Sequence, residues 1–315
     1  MSGPIGAAHL VTGALPASAA RAGSLAQAMT TGESVWVNGE PQPAGAAHVS
    51  ARDRGFTLAD GLFETMLVRQ GRIFRLDEHL ARLERGLQVL QISPASQMRQ
   101  WVLRAVASAS APDASIRLTV TRGVGRGGVA PVAETLPTTV IAIGAMPAFP
   151  SSLYEFGLNA HVASGRRNER SMTSGLKTLA YVDAIAAFLE AQRLGADEAI
   201  FLDTDAHCSE ATASNLFVWT GRTLLTPPVS CGALPGITRA AILEIAPGLG
   251  LAVSEQPFDL EQLLAAQEVF LTSSLRGIAP VVRVGDRPIG SGTPGSVIGR
   301  IRAAYDALVE RECGS

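Results

Sequence analysis

One lysine, Lys177, stands against 25 arginines in the 315 residues of this chain. Wherever a plain positive charge was needed arginine supplied it, so the lone amine calls for chemistry that a guanidinium cannot perform. Cysteine is nearly as scarce. Cys208, Cys231 and Cys313 are odd in number and show no C-x-x-C spacing, which argues against a disulfide framework and a zinc knuckle and fits a reducing, cytoplasmic compartment. No apolar run is long enough to cross a bilayer, because Arg, Asp, Gly or Pro interrupts each candidate. An excess of charge of one sign is missing too. The formal charge is -2 and the basic residues are scattered, so the footprint of a nucleic-acid or anionic-membrane binder is absent and a small molecule is the expected partner. Residues 1–33 are rich in Ala, Gly, Ser and Thr with no basic residue before Arg21, which argues against a secretory signal; a disordered extension is expected there.

What is abundant is apolar sequence, 47 % of residues, enough for one large core or two modest ones. Internal repeats are not seen, so the layout comes from punctuation and periodicity. A strand at 34–37 runs into Asn38-Gly39, and segments 63–69 and 72–76 flank Gln70-Gly71, so both pairs read as hairpins. Asp77 then suits a helix N-cap, and Leu80, Leu83, Leu87 and Leu90 recur on one helical face. A helix at 98–107 and strands at 116–122 and 138–144 complete an α+β first half. Two prolines at 146–152 mark a linker. Beyond it we expect strands at 158–163, 198–203, 251–255, 269–272 and 281–284, a hairpin over 216–226, and helices near 181–194, 238–249 and 295–312. The fold class is therefore α+β, with a smaller domain over 34–145, a larger one over 153–315 and a site between them.

Only an amine condenses with a carbonyl to form an imine, and Lys177 sits in Gly175-Leu-Lys-Thr-Leu-Ala-Tyr181, at the start of a helix rather than on a solvated face. Pro235-Gly236-Ile237-Thr238 opens another helix, where free N–H groups and the Thr238 hydroxyl suit a phosphate as well as an ordinary cap. Glu210 lies between two expected strands, either as a turn acid or as a carboxylate for a ring nitrogen. Arg82 falls off the leucine stripe and so faces solvent or a cleft. Gly123-Val-Gly-Arg-Gly-Gly128 matches G-x-G-x-x-G, but Pro131 and Pro137 leave no helix to receive a pyrophosphate. It reads as a flexible loop in which Arg126 meets a substrate carboxylate, or as a surface turn. No metal site is indicated.

Together these segments resemble the fold-type IV enzymes that use pyridoxal 5′-phosphate (PLP), the group of branched-chain and D-amino acid aminotransferases and 4-amino-4-deoxychorismate lyases. The resemblance covers nearly everything after residue 34. It is carried by 53–65 (DRGFTLADGLFET), 78–83 (EHLARL), 120–123 (VTRG), 176–179 (LKTL), Ser209-Glu210 with 214–217 (SNLF), and 234–239 (LPGITR). It implies the D-amino acid aminotransferase-like architecture of two mixed α/β domains with the site between them, and a homodimer. By that resemblance Lys177 is the Schiff-base lysine, Arg82 and Thr238 bind phosphate with the backbone of Gly236 and Ile237, and Ser273 and Ser274 complete the cup. Glu210 pairs with the pyridine nitrogen and Tyr181 bonds the ring hydroxyl. Phe63 stands where D-amino acid aminotransferases carry a tyrosine that helps hold the substrate carboxylate, which argues against that member and leaves Phe63 a candidate substrate contact beside Arg126 of the glycine-rich loop. The loop Ser273-Ser-Leu-Arg-Gly277 is most similar to the lyases, so the expected reaction turns 4-amino-4-deoxychorismate into 4-aminobenzoate and pyruvate. Amino transfer to a 2-keto acid is the alternative, and a non-catalytic nucleotide-binding protein using the glycine-rich loop is the rival from another class.

Overall fold

The computed structural model describes residues 34–314 apart from 44, 110 and 132–134, so the extension expected over 1–33 lies outside the described residues. In chain order the first half holds β1 (Ser34–Val37), β2 (Glu40–Pro41), α1 (Arg54–Leu58), β3 (Gly61–Arg69), β4 (Arg72–Ile73), α2 (Leu76–Val89), α3 (Met98–Ala107), β5 (Ala114–Thr121) and β6 (Thr138–Gly144). Its strands make one sheet in the order β2-β1-β6-β5-β3-β4, with antiparallel pairing throughout. Both expected hairpins are present, the second with a return strand shorter than the expected 72–76: β4 ends at Ile73 and Leu76 already opens α2. Asn38 and Gly39, and Gln70 and Gly71, all have positive φ, the backbone that a two-residue turn matching the strand twist requires. The leucine stripe of α2 packs as its spacing predicts: Leu80, Leu83 and Leu87 meet Met66, Val68 and Ile116 of the sheet. Asp77 lies in the first turn of α2 rather than at its N-cap, which is Arg75 in the left-handed region.

The second half contains α4 (Ser151–Phe156), β7 (Leu158–Arg167), α5 (Val182–Arg193), β8 (Glu198–Asp203), β9 (Cys208–Ala211), β10 (Asn215–Trp219), β11 (Thr223–Thr226), α6 (Ile237–Ile245), β12 (Ala252–Glu255), α7 (Leu260–Leu264), β13 (Glu268–Ser273), β14 (Gly277–Val284), β15 (Arg287–Pro288) and α8 (Ser296–Cys313). These strands form a nine-stranded mixed sheet, along β12-β11-β10-β13-β14-β7-β8-β9 with β15 on β14. Apolar clusters lie on both faces. One gathers Leu216, Val269 and Phe258; the other packs Phe217 and Phe270 under α6 and α8, and draws in Leu67 and Phe74 from the first half. The sheets are thus joined by shared apolar burial.

Three local differences from the expected layout have physical causes. The helix foreseen over 238–249 leaves α-geometry after Ile245 and tightens into a 3-10 turn over Ala246–Leu249, where Pro247 cannot donate. The strand foreseen at 281–284 begins at Gly277. Pro280 is accommodated opposite Phe270, while pairing with β7 starts only at Val281. β9 was not foreseen, because Cys208-Ser-Glu-Ala211 has neither alternation nor β-branched residues.

Candidate active site

A cavity of about 750 Å³ opens between the two halves and gathers most of the residues singled out from the sequence, among them Phe63, Arg82, Lys177, Glu210, Thr238 and Ser274. Lys177 is half-buried and reaches this cavity from the connection between β7 and α5. That connection is laced onto the start of β3: the Phe63 N–H donates to the Lys177 carbonyl at 3.0 Å, the Leu179 N–H donates to the Gly61 carbonyl at 3.1 Å, and Thr178 bridges to Leu62. Gly61 has no room for a side chain, since a Cβ there would stand 2.5 Å from the Val120 carbonyl oxygen of β5 and 3.0 Å from Leu179 Cδ1 of the connection. The Lys177 ammonium donates to the Tyr181 hydroxyl at 3.2 Å and lies 4.5 Å from the centre of the Phe63 ring. Phe63 and Tyr181 meet edge to face at 5.1 Å, which fixes the wall against which the amine rests.

Glu210 occupies a different setting from the turn expected for it. It lies on β9, opposite Asn215 of β10, and only 8 % of it is exposed. Its carboxylate accepts the Leu234 N–H at 2.9 Å and stands 3.0 Å from Arg167. Burial pushes the Glu210 pKa above the usual carboxylate range, against the opposing pull of Arg167, the Leu234 N–H and Lys177.

Arg82 faces the cleft and not the solvent. Its Nε and Nη2 donate to the two Glu64 oxygens at 2.8 and 2.6 Å, and its Nη1 donates to the Pro235 carbonyl at 3.0 Å. Glu64 is 0 % exposed and is also held by His79 Nδ1 at 2.7 Å. Burial works against the Glu64 charge, but the His79 and Arg82 hydrogen bonds outweigh it and hold the carboxyl at about 2. Next to this corner Gly236 caps α6, with Ile237 and Thr238 buried in the first turn. A Cβ on Gly236 would fall 1.9 Å from the Asn215 side-chain oxygen. Ser273 and Ser274 line the same cavity from the end of β13.

Arg126 is the predicted residue that this chain does not bring to the cavity lining. Its loop, expected to be flexible, is tied down by the buried Arg54 guanidinium, which donates to the carbonyls of Arg126, Gly128 and Val129. Four residues in or behind the cavity wall escaped the sequence reading. Glu64 lies within a strand with nothing local to mark it, and Arg167 falls beyond the strand expected at 158–163, which runs on to Arg167 as β7. Thr272 lines the cavity with a buried hydroxyl that has no partner among the described residues. Arg117 projects from β5 with its guanidinium 3.7 Å from the Phe63 ring centre and, among the described residues, no acidic partner. Its one signal was a charge on an otherwise apolar and hydroxyl-bearing strand. Away from the cavity wall, Asp203, His207 and Cys231 bring donor atoms within 4.8 Å of one another, but Asp203 already accepts the Asp205 and His207 N–H groups to close its turn.

The model of the family Amino-transferase class IV matches residues 61–284. A putative branched-chain-amino-acid aminotransferase of Methanocaldococcus jannaschii is 33 % identical over 86 % of this chain and 94 % of its own length. The crystal structure of 4-amino-4-deoxychorismate lyase from Pseudomonas aeruginosa superposes with a TM-score of 0.77 at 33 % identity, over 88 % of this chain and 98 % of that one. A T.th. branched-chain amino acid aminotransferase, solved with pyridoxamine 5′-phosphate, superposes with a TM-score of 0.81 at 27 % identity, over 88 % and 93 %. The chain belongs to the class IV aminotransferase family: it is a PLP-dependent enzyme of the kind that includes aminotransferases and aminodeoxychorismate lyases. Among the described residues no helix is long and apolar enough to cross a membrane.

Proposed function

We propose that Lys177 tethers PLP and that the enzyme acts on a primary amine carrying a carboxylate. The observation behind this reading is that one cavity lining gathers the lone amine, Glu210, and the Gly236–Thr238 helix start with Ser274. The residues present suit the cofactor. The cavity has the size of a cofactor site, and its lining gathers one amine, a buried carboxylate, an arginine and the hydroxyl-bearing residues Thr238, Ser273 and Ser274, the donor set that an aldehyde, a ring nitrogen and a phosphate call for. When bound, PLP supplies an aldehyde that condenses with amines and a ring that withdraws electrons from the substrate carbon.

In this reading the N–H groups of Ile237 and Thr238, the hydroxyls of Thr238, Ser273 and Ser274, and Arg82 hold the phosphate. Glu210, whose proton affinity burial has raised, shares a proton with the ring nitrogen. Tyr181 bonds the ring hydroxyl, and Arg117 beside Phe63 takes a substrate carboxylate. Lys177 Nζ, freed by the incoming amine, moves the proton at the carbon that bears the substrate nitrogen.

The reaction we put forward is the lyase: Lys177 takes the C4 proton of 4-amino-4-deoxychorismate, the enolpyruvyl C–O bond breaks, the leaving group gains a proton and departs as pyruvate, and the ring becomes 4-aminobenzoate. The Ser273–Gly277 turn and the Pseudomonas structure favour it. Amino transfer of the branched-chain type is the second reading, favoured by the Methanocaldococcus relative. We further take the enzyme to be a cytoplasmic homodimer with domains over 34–145 and 153–315. Val182, Ile185 and Leu189 form an exposed apolar stripe on α5 that a second copy would cover.

Spectra test the reading. Wild-type protein given PLP should show a violet-absorbing band that borohydride bleaches, and Lys177→Ala should lack it; no band in the wild type defeats the proposal. Incubation with aminodeoxychorismate should release pyruvate with no keto acid added. Turnover only of an amino acid plus keto acid selects the transferase instead.

A further inference from the structure

Glu198 and Arg276 form a buried ion pair in the cavity wall that the mechanism above leaves unused. Glu198 opens β8 and is 3 % exposed; Arg276 sits in the turn between β13 and β14 and is 7 % exposed. Arg276 Nη2 lies 3.2 Å from a Glu198 oxygen and donates to Ser214 Oγ at 2.8 Å. The other Glu198 oxygen accepts the Thr212 hydroxyl. Tyr154 adds a further anchor, its hydroxyl donating to the Arg276 carbonyl at 2.8 Å. One ion pair therefore grips the 212–214 turn twice, once through each partner, and ties it to the 273–276 turn.

Both turns line the cavity. Thr212 follows Glu210 by two residues, and Ser273 and Ser274 immediately precede the Leu275-Arg276 end of the other turn. A buried ion pair is a poor device for stability alone, because stripping water from both charges offsets most of their attraction, and an apolar pair of similar volume would hold the chain as well. What charge-assisted hydrogen bonds provide is fixed length and direction.

We propose that Glu198 and Arg276 are positioning residues whose ion pair sets the spacing between the carboxylate that meets the ring nitrogen and the serines that meet the phosphate. In this reading they act through Glu210, Ser273 and Ser274 rather than on the cofactor. The inference rests on the cofactor reading above.

The test uses PLP-loaded enzyme carrying Glu198→Gln, Arg276→Gln, both together, or Arg276→Lys. In each single Gln variant kcat should fall roughly ten- to a hundredfold with KM little changed, as expected for misplaced groups. The pH midpoint of the cofactor's visible band should shift, because Glu210 no longer meets the ring at its proper distance. Borohydride should still fix the cofactor to Lys177. The double variant leaves no buried charge unpaired, so its kcat should exceed the product of the two single effects, and Arg276→Lys should restore the band's midpoint. If a single variant does not fold, the double variant and Arg276→Lys carry the comparison. An unmoved midpoint, or single effects that simply multiply while melting temperature and activity fall together, overturns the proposal. A wild-type protein with no cofactor band fails at the earlier step, the PLP reading, and is told apart from these outcomes by that absence.

Discussion

Glu64 carries a charge where no solvent reaches it, and the reason lies in two neighbours. Arg82 clasps both of its oxygens and His79 the second of them. Burial lowers the His79 pKa in spite of Glu64, so the arginine is the steady counter-charge. The folded carboxyl, at about 2 against an ordinary 4.5, binds its proton more weakly than in the unfolded chain. The resulting stabilisation, roughly 3 kcal/mol, is complete above pH 4.5 and is lost as pH falls toward 2. Glu64→Gln should therefore be less stable than wild type in urea at pH 7 and should show a flatter loss of stability between pH 4.5 and 3; an unchanged acid limb rules this account out. Glu210 is the second residue with a prediction of its own. Glu210→Gln should keep the cofactor attached, yet lower kcat by roughly a hundredfold, because an amide cannot keep a ring nitrogen protonated; full activity in that variant would remove Glu210 from the chemistry. Lys177 stood out from composition as the one lysine, whereas the buried charge of Glu64 had no such signal, because a glutamate in a strand is ordinarily the solvated member of the alternation.

Among the elements, α6 shows how a helix start comes to line a cavity. Gly236 caps it with no side chain, and its first turn lines the cavity near the point where Arg82 reaches the Pro235 carbonyl. Gly236→Ala would drive a methyl to 1.9 Å from the Asn215 oxygen, so the helix start must shift. We expect PLP affinity roughly five- to a hundredfold weaker, since a displacement of this kind costs about 1–3 kcal/mol, with far-ultraviolet circular dichroism unchanged. Equal affinity would show that the cup does not use this helix. Helices with a continuous leucine face were legible in advance, and so were the two hairpins with glycine turns. β9 was hidden because Cys208, Ser209, Glu210 and Ala211 are placed by neighbours on both sides rather than by their own preference.

At the scale of the whole molecule, the cavity exists because two sheets share a cluster. Leu67 and Phe74 leave the first half and pack with Phe217, Ile242 and Tyr305 of the second. Phe74→Ala should lower stability by about 3–5 kcal/mol in denaturant titration and should weaken PLP binding as well, because the two walls of the site would no longer be held together; stability lost without any change in affinity would show that the halves hold the site independently. The amino-acid sequence by itself singled out the lone amine, the helix that opens on Pro235-Gly236-Ile237-Thr238 and the α+β layout. Each of these depends on local chemistry: one amine, one glycine without a side chain, one hydrophobic period. Only the tertiary structure decided that Arg82 turns inward onto Glu64, that Glu210 sits on a strand beside Arg167, that the Arg126 loop is pinned by Arg54, and that Arg276 meets Glu198. Those contacts join residues from 18 to 78 positions apart, or bind a loop across more than 70, and no local pattern in a chain encodes which distant charge will be waiting.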